Sequence, residues 1–79
     1  MEGDMRVSKM ESDNMLIWLG TGIAQRRKEA AMTHAQLARK VQLKTDAIRR
    51  LECGEYDLSV RELYAIARAL GSTLGDITR

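Results

Sequence analysis

The chain of 79 residues contains no proline or phenylalanine, a single cysteine and only three aromatic residues. One cysteine cannot build an intramolecular disulfide framework or a zinc site of several thiolates, and it is typical of the reducing cytoplasm. No apolar run approaches the roughly 20 residues of a transmembrane helix, and the N-terminus lacks the apolar stretch of a secretory signal. We therefore expect a small cytoplasmic domain with an aliphatic core and no contact with a membrane.

Charge is distributed unevenly along the chain, although the net charge is only +2. Residues 33–53 carry five basic and two acidic side chains, whereas both ends of the chain are slightly acidic. A concentrated basic face is what binding to a polyphosphate backbone requires. An ordinary solvated helix surface has the same composition, so charge alone leaves both interpretations open.

The lack of proline and of period-two alternation favours an all-α protein. Residues 1–13 show no helical period and are predicted to be a flexible N-terminal arm, with one domain over residues 14–79. The first helix is expected to begin near Asp13 or Asn14. Gly20 and Gly22 each cost about 1 kcal/mol in a helix interior, which favours a break at Gly20.

Two capping boxes, Thr33–Gln36 and Ser59–Glu62, mark helix starts, because each pair satisfies free backbone N–H groups reciprocally. Between them the apolar spacing restarts out of phase after a tight turn, which predicts two short helices, the second over about residues 44–53. The helix that follows Ser59 closes at Gly71, and a fifth and shortest helix is expected from about Thr73. The pattern therefore predicts five short helices.

The third of these helices has one apolar and one polar face. Ile48 and Leu51 are predicted to point into the core. The opposite face offers hydrogen-bond donors and an acceptor, which come from Thr45, Asp46, Arg49 and Arg50. A polar face that follows a short helix and a tight turn has the geometry with which a helix enters the major groove of DNA.

The joint spacing of these residues resembles the helix-turn-helix domain of the XRE family, which includes phage repressor and Cro proteins. The similar stretch runs from Leu19 to Ile77. Its matching motifs are Ile23-x-x-Arg26-Arg27-Lys28-Glu29, Met32-Thr33-x-x-Gln36-Leu37-Ala38, Ile48-x-x-Leu51-Glu52-x-Gly54 and Leu63-x-x-Ile66-Ala67-x-Ala69-Leu70-Gly71. The resemblance implies a compact five-helix, lambda-repressor-like DNA-binding domain.

The resemblance also implies roles for individual residues. Thr45, Asp46 and Arg50 match base-reading positions, and Arg49 lies on the same face. Arg27 and Glu52 match a buried ion pair that joins the first helix to the end of the third. The expected DNA phosphate contacts lie on the second helix and at the start of the third, and they are Thr33, His34, Gln36, Arg39, Lys40 and Lys44.

Two departures from the family pattern concern the start of the third helix and the turn before it. Lys44 occupies the usual Ser or Thr N-cap position and offers no acceptor, so Thr45 is a candidate to cap the helix one residue later. Gln42 replaces a glycine that is frequent in the turn, so a residue with a Cβ is expected to adopt a positive φ.

The predicted function is a sequence-specific, double-stranded DNA-binding transcription regulator that binds a palindromic operator as a homodimer. The expected dimer surface comprises Leu58, Tyr64, Leu74 and Ile77. The alternative is an antitoxin-like or adaptor module that uses the same fold to bind a toxin or another protein. No hydroxyl or thiol has a base and an orienting group in a recognisable arrangement, and the lone histidine has no companion ligands. Neither an enzyme nor a metal or cofactor site is therefore predicted.

Overall fold

The computed structural model describes the backbone of residues 9–78 and the side chains of residues 14–78. All regular structure in this range is α-helical. The five helices are α1 (Lys9–Glu29), α2 (His34–Val41), α3 (Thr45–Glu52), α4 (Val60–Ala69) and α5 (Leu74–Thr78). The prediction of an all-α fold with five helices is confirmed, and α3 lies within one residue of the predicted bounds at each end.

The first helix is longer than the sequence predicted. It begins at Lys9, four residues before Asp13, so residues 9–13 of the predicted arm are helical. This stretch contains neither glycine nor proline, and adding residues to an existing helix costs far less than nucleating one. The first eight residues of the predicted arm lie outside the described residues. Within those described, no helix is both long and apolar enough to span a bilayer.

The expected break at Gly20 is absent, because α1 is continuous through both of its glycines. A Cβ on Gly20 would collide with the carbonyl oxygen of Leu51 in α3. A Cβ on Gly22 would collide with the carbonyl oxygen of Ile77 in α5. These glycines therefore allow α1 to approach two other backbones closely, and packing compensates for their low helix propensity.

All five helices contribute side chains to the core. In the described range α1 packs against α3 and α5, α2 packs against α3 and α4, and α4 also contacts α5. The buried apolar side chains are Ile23, Leu37, Ala38, Ile48, Leu51, Ile66, Ala67 and Ile77. The prediction that Ile77 forms part of a dimer surface is wrong, because its side chain is 2% exposed at the α1–α5 contact.

Three helices begin with reciprocal caps, two of which the sequence predicted. The boxes at Thr33–Gln36 and Ser59–Glu62 are both present. A third forms at α5, where the Thr73 N–H donates to Asp76 Oδ2 at 3.0 Å and the Asp76 N–H donates to Thr73 Oγ1 at 3.1 Å. Each cap fixes where its helix starts, and together they determine which side chains of α2, α4 and α5 face the core.

Substituting Gly20 by alanine tests the close approach of α1 to α3. Helix propensity alone would make Gly20→Ala stabilising, but the collision with the Leu51 carbonyl predicts a loss of about 1–3 kcal/mol. Gly75→Ala is the matched control, because the nearest atom to its new Cβ is the Thr73 hydroxyl at 3.6 Å. Urea denaturation should show Gly20→Ala destabilised and Gly75→Ala neutral or stabilised. A stabilised Gly20→Ala would contradict the described packing.

Candidate nucleic-acid interface

The turn between α2 and α3 sets the angle at which α3 leaves the core. Gln42 ends α2 in the left-handed region, with φ 60° and ψ 40°. A positive φ was expected here, because Gln42 stands where the family often has glycine. The Leu43 N–H then donates to the Ala38 carbonyl at 2.9 Å, which closes the end of α2. Leu43 also packs against the core, so the turn is held by its backbone and by a side chain.

The third helix is anchored on one side and exposed on the other. Ile48 is fully buried and Leu51 is 2% exposed. Asp46, Arg49 and Arg50 are exposed on the opposite side. Of the four predicted base-reading residues, only Thr45 is half-buried. The structure therefore brings the predicted polar face together on the outside of the helix.

The start of α3 has no side-chain cap. Lys44 is the N-cap residue and its side chain makes no capping hydrogen bond. The expectation that Thr45 caps the helix is wrong, because Thr45 is the first helical residue. The Ile48 N–H donates to the Lys44 carbonyl at 3.3 Å, whereas the N–H groups of Thr45, Asp46 and Ala47 have no partner among the described residues. Three donors thus remain available at this end of α3.

The start of α2 is capped but still leaves donors available. The Gln36 N–H donates to Thr33 Oγ1 at 3.0 Å, and the Thr33 N–H donates to Gln36 Oε1 at 2.8 Å. The side-chain Nε2 of Gln36 makes no hydrogen bond in this capping box. The backbone N–H groups of His34 and Ala35 likewise have no acceptor in the part of the chain that the structure describes.

The basic side chains fall into two groups, those with intramolecular partners and those without. Arg26 donates to the Asp76 carbonyl at 3.1 Å and to Glu29 at 2.9 Å, so it joins α1 to α5. Arg50 makes one long hydrogen bond, 3.4 Å, to the Glu55 carbonyl. Within residues 14–78, four exposed basic side chains of α2, α3 and the α3 N-cap make no hydrogen bond or ion pair. They are Arg39, Lys40, Lys44 and Arg49.

The predicted ion pair between Arg27 and Glu52 is present and buried. Arg27 Nε donates to Glu52 Oε2 at 2.6 Å, and Nη2 donates to Oε1 at 3.1 Å. The two side chains are 9% and 8% exposed. Arg27 Nη1 also donates to the Met32 carbonyl at 2.8 Å, so the guanidinium holds the α1–α2 connection as well as the end of α3.

His34 also belongs to this cluster, which the sequence did not predict. Its Nε2 lies 3.0 Å from Glu52 Oε1, and its side chain is 32% exposed. The expectation of a phosphate contact was based on the position of His34 at the start of α2. Only the folded arrangement shows that its ring contacts the carboxylate at the end of α3.

Tyr56 is a further residue at this surface that the sequence did not single out. It lines an open groove of about 470 Å³ at the α2–α3 turn, together with Lys44, Asp46 and Arg50. Its hydroxyl donates to Glu62 Oε2 at 2.8 Å, and this bond raises the pKa of Tyr56. The Ser59 N–H and the Tyr56 hydroxyl both bind the Glu62 carboxylate and lower its pKa. The α3–α4 loop is thereby held beside Arg50.

Comparison with known proteins identifies the class. The family model described as Helix-turn-helix matches residues 23–77, well over half of the chain. The chain belongs to this family, the XRE-type helix-turn-helix group of DNA-binding transcription regulators.

The solved structures support the same fold. The crystal structure of the clp gene regulator ClgR from C. glutamicum superposes with a TM-score of 0.79 and 19% sequence identity. The match covers 98% of this chain and 90% of that chain. No curated protein sequence matches the chain.

Replacing Lys44 by serine tests the uncapped start of α3. A serine hydroxyl at this position accepts from a free N–H of the first turn, so Lys44→Ser should stabilise the domain by about 1 kcal/mol. Lys40→Ser is the matched control, because it removes the same charge from an exposed residue inside α2. Thermal denaturation should show a higher Tm for Lys44→Ser only. Equal Tm changes in the two variants would contradict the absence of a cap at Lys44.

Proposed function

We propose that this protein is a sequence-specific, double-stranded DNA-binding transcription regulator that acts as a homodimer. In this proposal α3 is the recognition helix and lies in the major groove. The observation that carries the proposal is that α3 is anchored by Ile48 and Leu51 while its opposite face presents Asp46, Arg49 and Arg50 to solvent. A DNA ligand implies a cytoplasmic site of action.

Phosphate contacts would position the domain on DNA. The free N–H groups at the start of α2 form a partial positive charge that favours an anion, and the uncommitted amide of Gln36 and the hydroxyl of Thr33 lie beside them. Arg39, Lys40 and Lys44 have no intramolecular partner among the described residues, so they can bind phosphate without breaking an existing contact. Such contacts provide affinity and register, but they carry little sequence information.

Base contacts would come from the outer face of α3. Arg50 is our candidate for bidentate hydrogen bonding to the O6 and N7 atoms of guanine, a contact worth about 1–3 kcal/mol of discrimination. Its one long bond to the Glu55 carbonyl is weak enough to exchange for a base. Asp46 can accept a hydrogen bond from the N4 amino group of cytosine, and it disfavours any pose that brings a phosphate close to it.

A dimer would supply the contact area with DNA that one small domain lacks. Two copies that bind half-sites about one helical turn apart double the number of contacts and imply a palindromic operator. Three of the four predicted interface residues remain candidates, because Tyr64 is 55% exposed, Leu74 is 37% exposed and Leu58 is half-buried.

The substitution Arg50→Ala tests this proposal. The protein is first used to select a duplex from a randomised pool, and binding is then measured by fluorescence anisotropy. Arg50→Ala should weaken binding to the selected duplex by about 1–3 kcal/mol, and it should change binding to a scrambled duplex much less. The control is Arg61→Ala, which removes the same charge from an exposed residue of α4.

Two results would contradict the proposal. One is that no duplex is enriched in the selection. The other is that Arg50→Ala weakens the selected and scrambled duplexes equally. The first result would favour the alternative, in which the same face binds a toxin or another acidic protein.

A further inference from the structure

The imidazole of His34 joins three helices through one carboxylate. Glu52 is the last residue of α3, and its Oε1 lies 3.0 Å from His34 Nε2 and 3.1 Å from Arg27 Nη2. Arg27 belongs to α1, and His34 is the first residue of α2. The start of α2 is therefore held against the end of the proposed recognition helix through Glu52.

The hydrogen-bond arrangement indicates which ring nitrogen changes protonation state. The Glu52 carboxylate accepts two hydrogen bonds from Arg27, so the His34 Nε2 contact requires Nε2 to donate as well. Nδ1 then carries the lone pair of the neutral ring, and no described residue hydrogen-bonds to it. A second proton at Nδ1 would turn the Nε2 contact with Glu52 into a charge-assisted hydrogen bond.

Charges of both signs lie next to the ring in the free protein. The Glu52 carboxylate contacts Nε2, and the Arg27 guanidinium binds the same carboxylate. The first turn of α2 contains no acidic residue, and its basic residues Arg39 and Lys40 lie in the last turn. In α4, which packs on α2, Glu62 is bound by Tyr56 and Arg68 lies over the ring of Tyr64. The negative phosphates of a bound duplex would add an attraction for a positively charged ring at this surface.

We propose that His34 is a positioning residue that makes DNA binding depend on pH. Its Nε2–H holds the start of α2 to Glu52 in both protonation states of the ring, and proton uptake at Nδ1 accompanies DNA binding. Histidine changes charge between about pH 5 and pH 8, whereas phosphodiesters stay ionised throughout, so affinity should fall as the pH rises. This inference rests on the proposed DNA-binding function.

The test compares His34→Gln and His34→Ala with the unmodified chain. The dissociation constant for the selected duplex is measured by anisotropy at about pH 6 and about pH 8, the range in which histidine titrates. The unmodified protein should bind about three- to tenfold more weakly at the higher pH, which corresponds to an average linked uptake of about a quarter to a half of a proton over this range. His34→Gln keeps an N–H donor for Glu52 and cannot titrate, so its affinity should not depend on pH.

The remaining variants separate positioning from charge. His34→Ala should bind more weakly than His34→Gln at both pH values, because it also loses the bond to Glu52. Cys53→Ser, which removes the exposed thiol next to Glu52, should keep the pH dependence of the unmodified protein.

Because His34 is the only histidine of the chain, its ring signals in NMR spectra are identified without assignment. At constant pH near neutrality they should move toward the protonated form when the duplex is added.

The outcomes distinguish this inference from the function on which it rests. Binding that is independent of pH in the unmodified protein, or an equal pH dependence in His34→Gln, would overturn the inference and leave the proposed function intact. The same holds if the ring signals do not move when DNA binds. If no duplex binds at either pH, the proposed function fails and this inference fails with it.

Discussion

The arrangement of this domain depends on the contacts that hold α3 against α1. At its C-terminal end, Glu52 is bound by Arg27 through two hydrogen bonds in a buried site. About two turns earlier in α1, the absence of a side chain at Gly20 lets α1 approach the Leu51 carbonyl. A buried ion pair gains little net stability, because desolvation offsets the attraction, but losing one partner is costly. We infer that the pair specifies how α3 docks. On the outer face of α3, Arg50 makes the only intramolecular side-chain hydrogen bond among the described residues, to the Glu55 carbonyl.

Local chemistry made much of the fold predictable. The boxes at Thr33 and Ser59 involve residues three apart, so the sequence alone predicted where α2 and α4 begin. The positive φ of Gln42 was implied by the family resemblance, because Gln42 replaces a glycine that is frequent in the turn. The exposed face of α3 was predicted from the spacing of Ile48 and Leu51, since a helix that buries two such residues must expose the opposite side.

Contacts between distant segments account for what the sequence did not predict. The low helix propensity of Gly20 and Gly22 predicted a break in α1. The close approach of the α3 and α5 backbones explains why α1 contains glycine at these positions and remains continuous. His34 reads as an exposed residue after a cap, and its contact with Glu52 spans 18 positions. Ile77 was predicted to lie at a dimer surface, but it is buried where α5 approaches Gly22 of α1. Side-chain roles are thus predictable within a helix and much less so between helices.

The central claim, that the outer face of α3 contacts DNA, is tested most directly by NMR titration of the labelled protein with a selected duplex. Backbone amides of Thr45, Asp46 and Ala47 have no acceptor among the described residues, so they should show the largest shifts, followed by those at the start of α2. Amides of α4 should change little. Shifts confined to α4 and α5, with α3 unaffected, would contradict the claim.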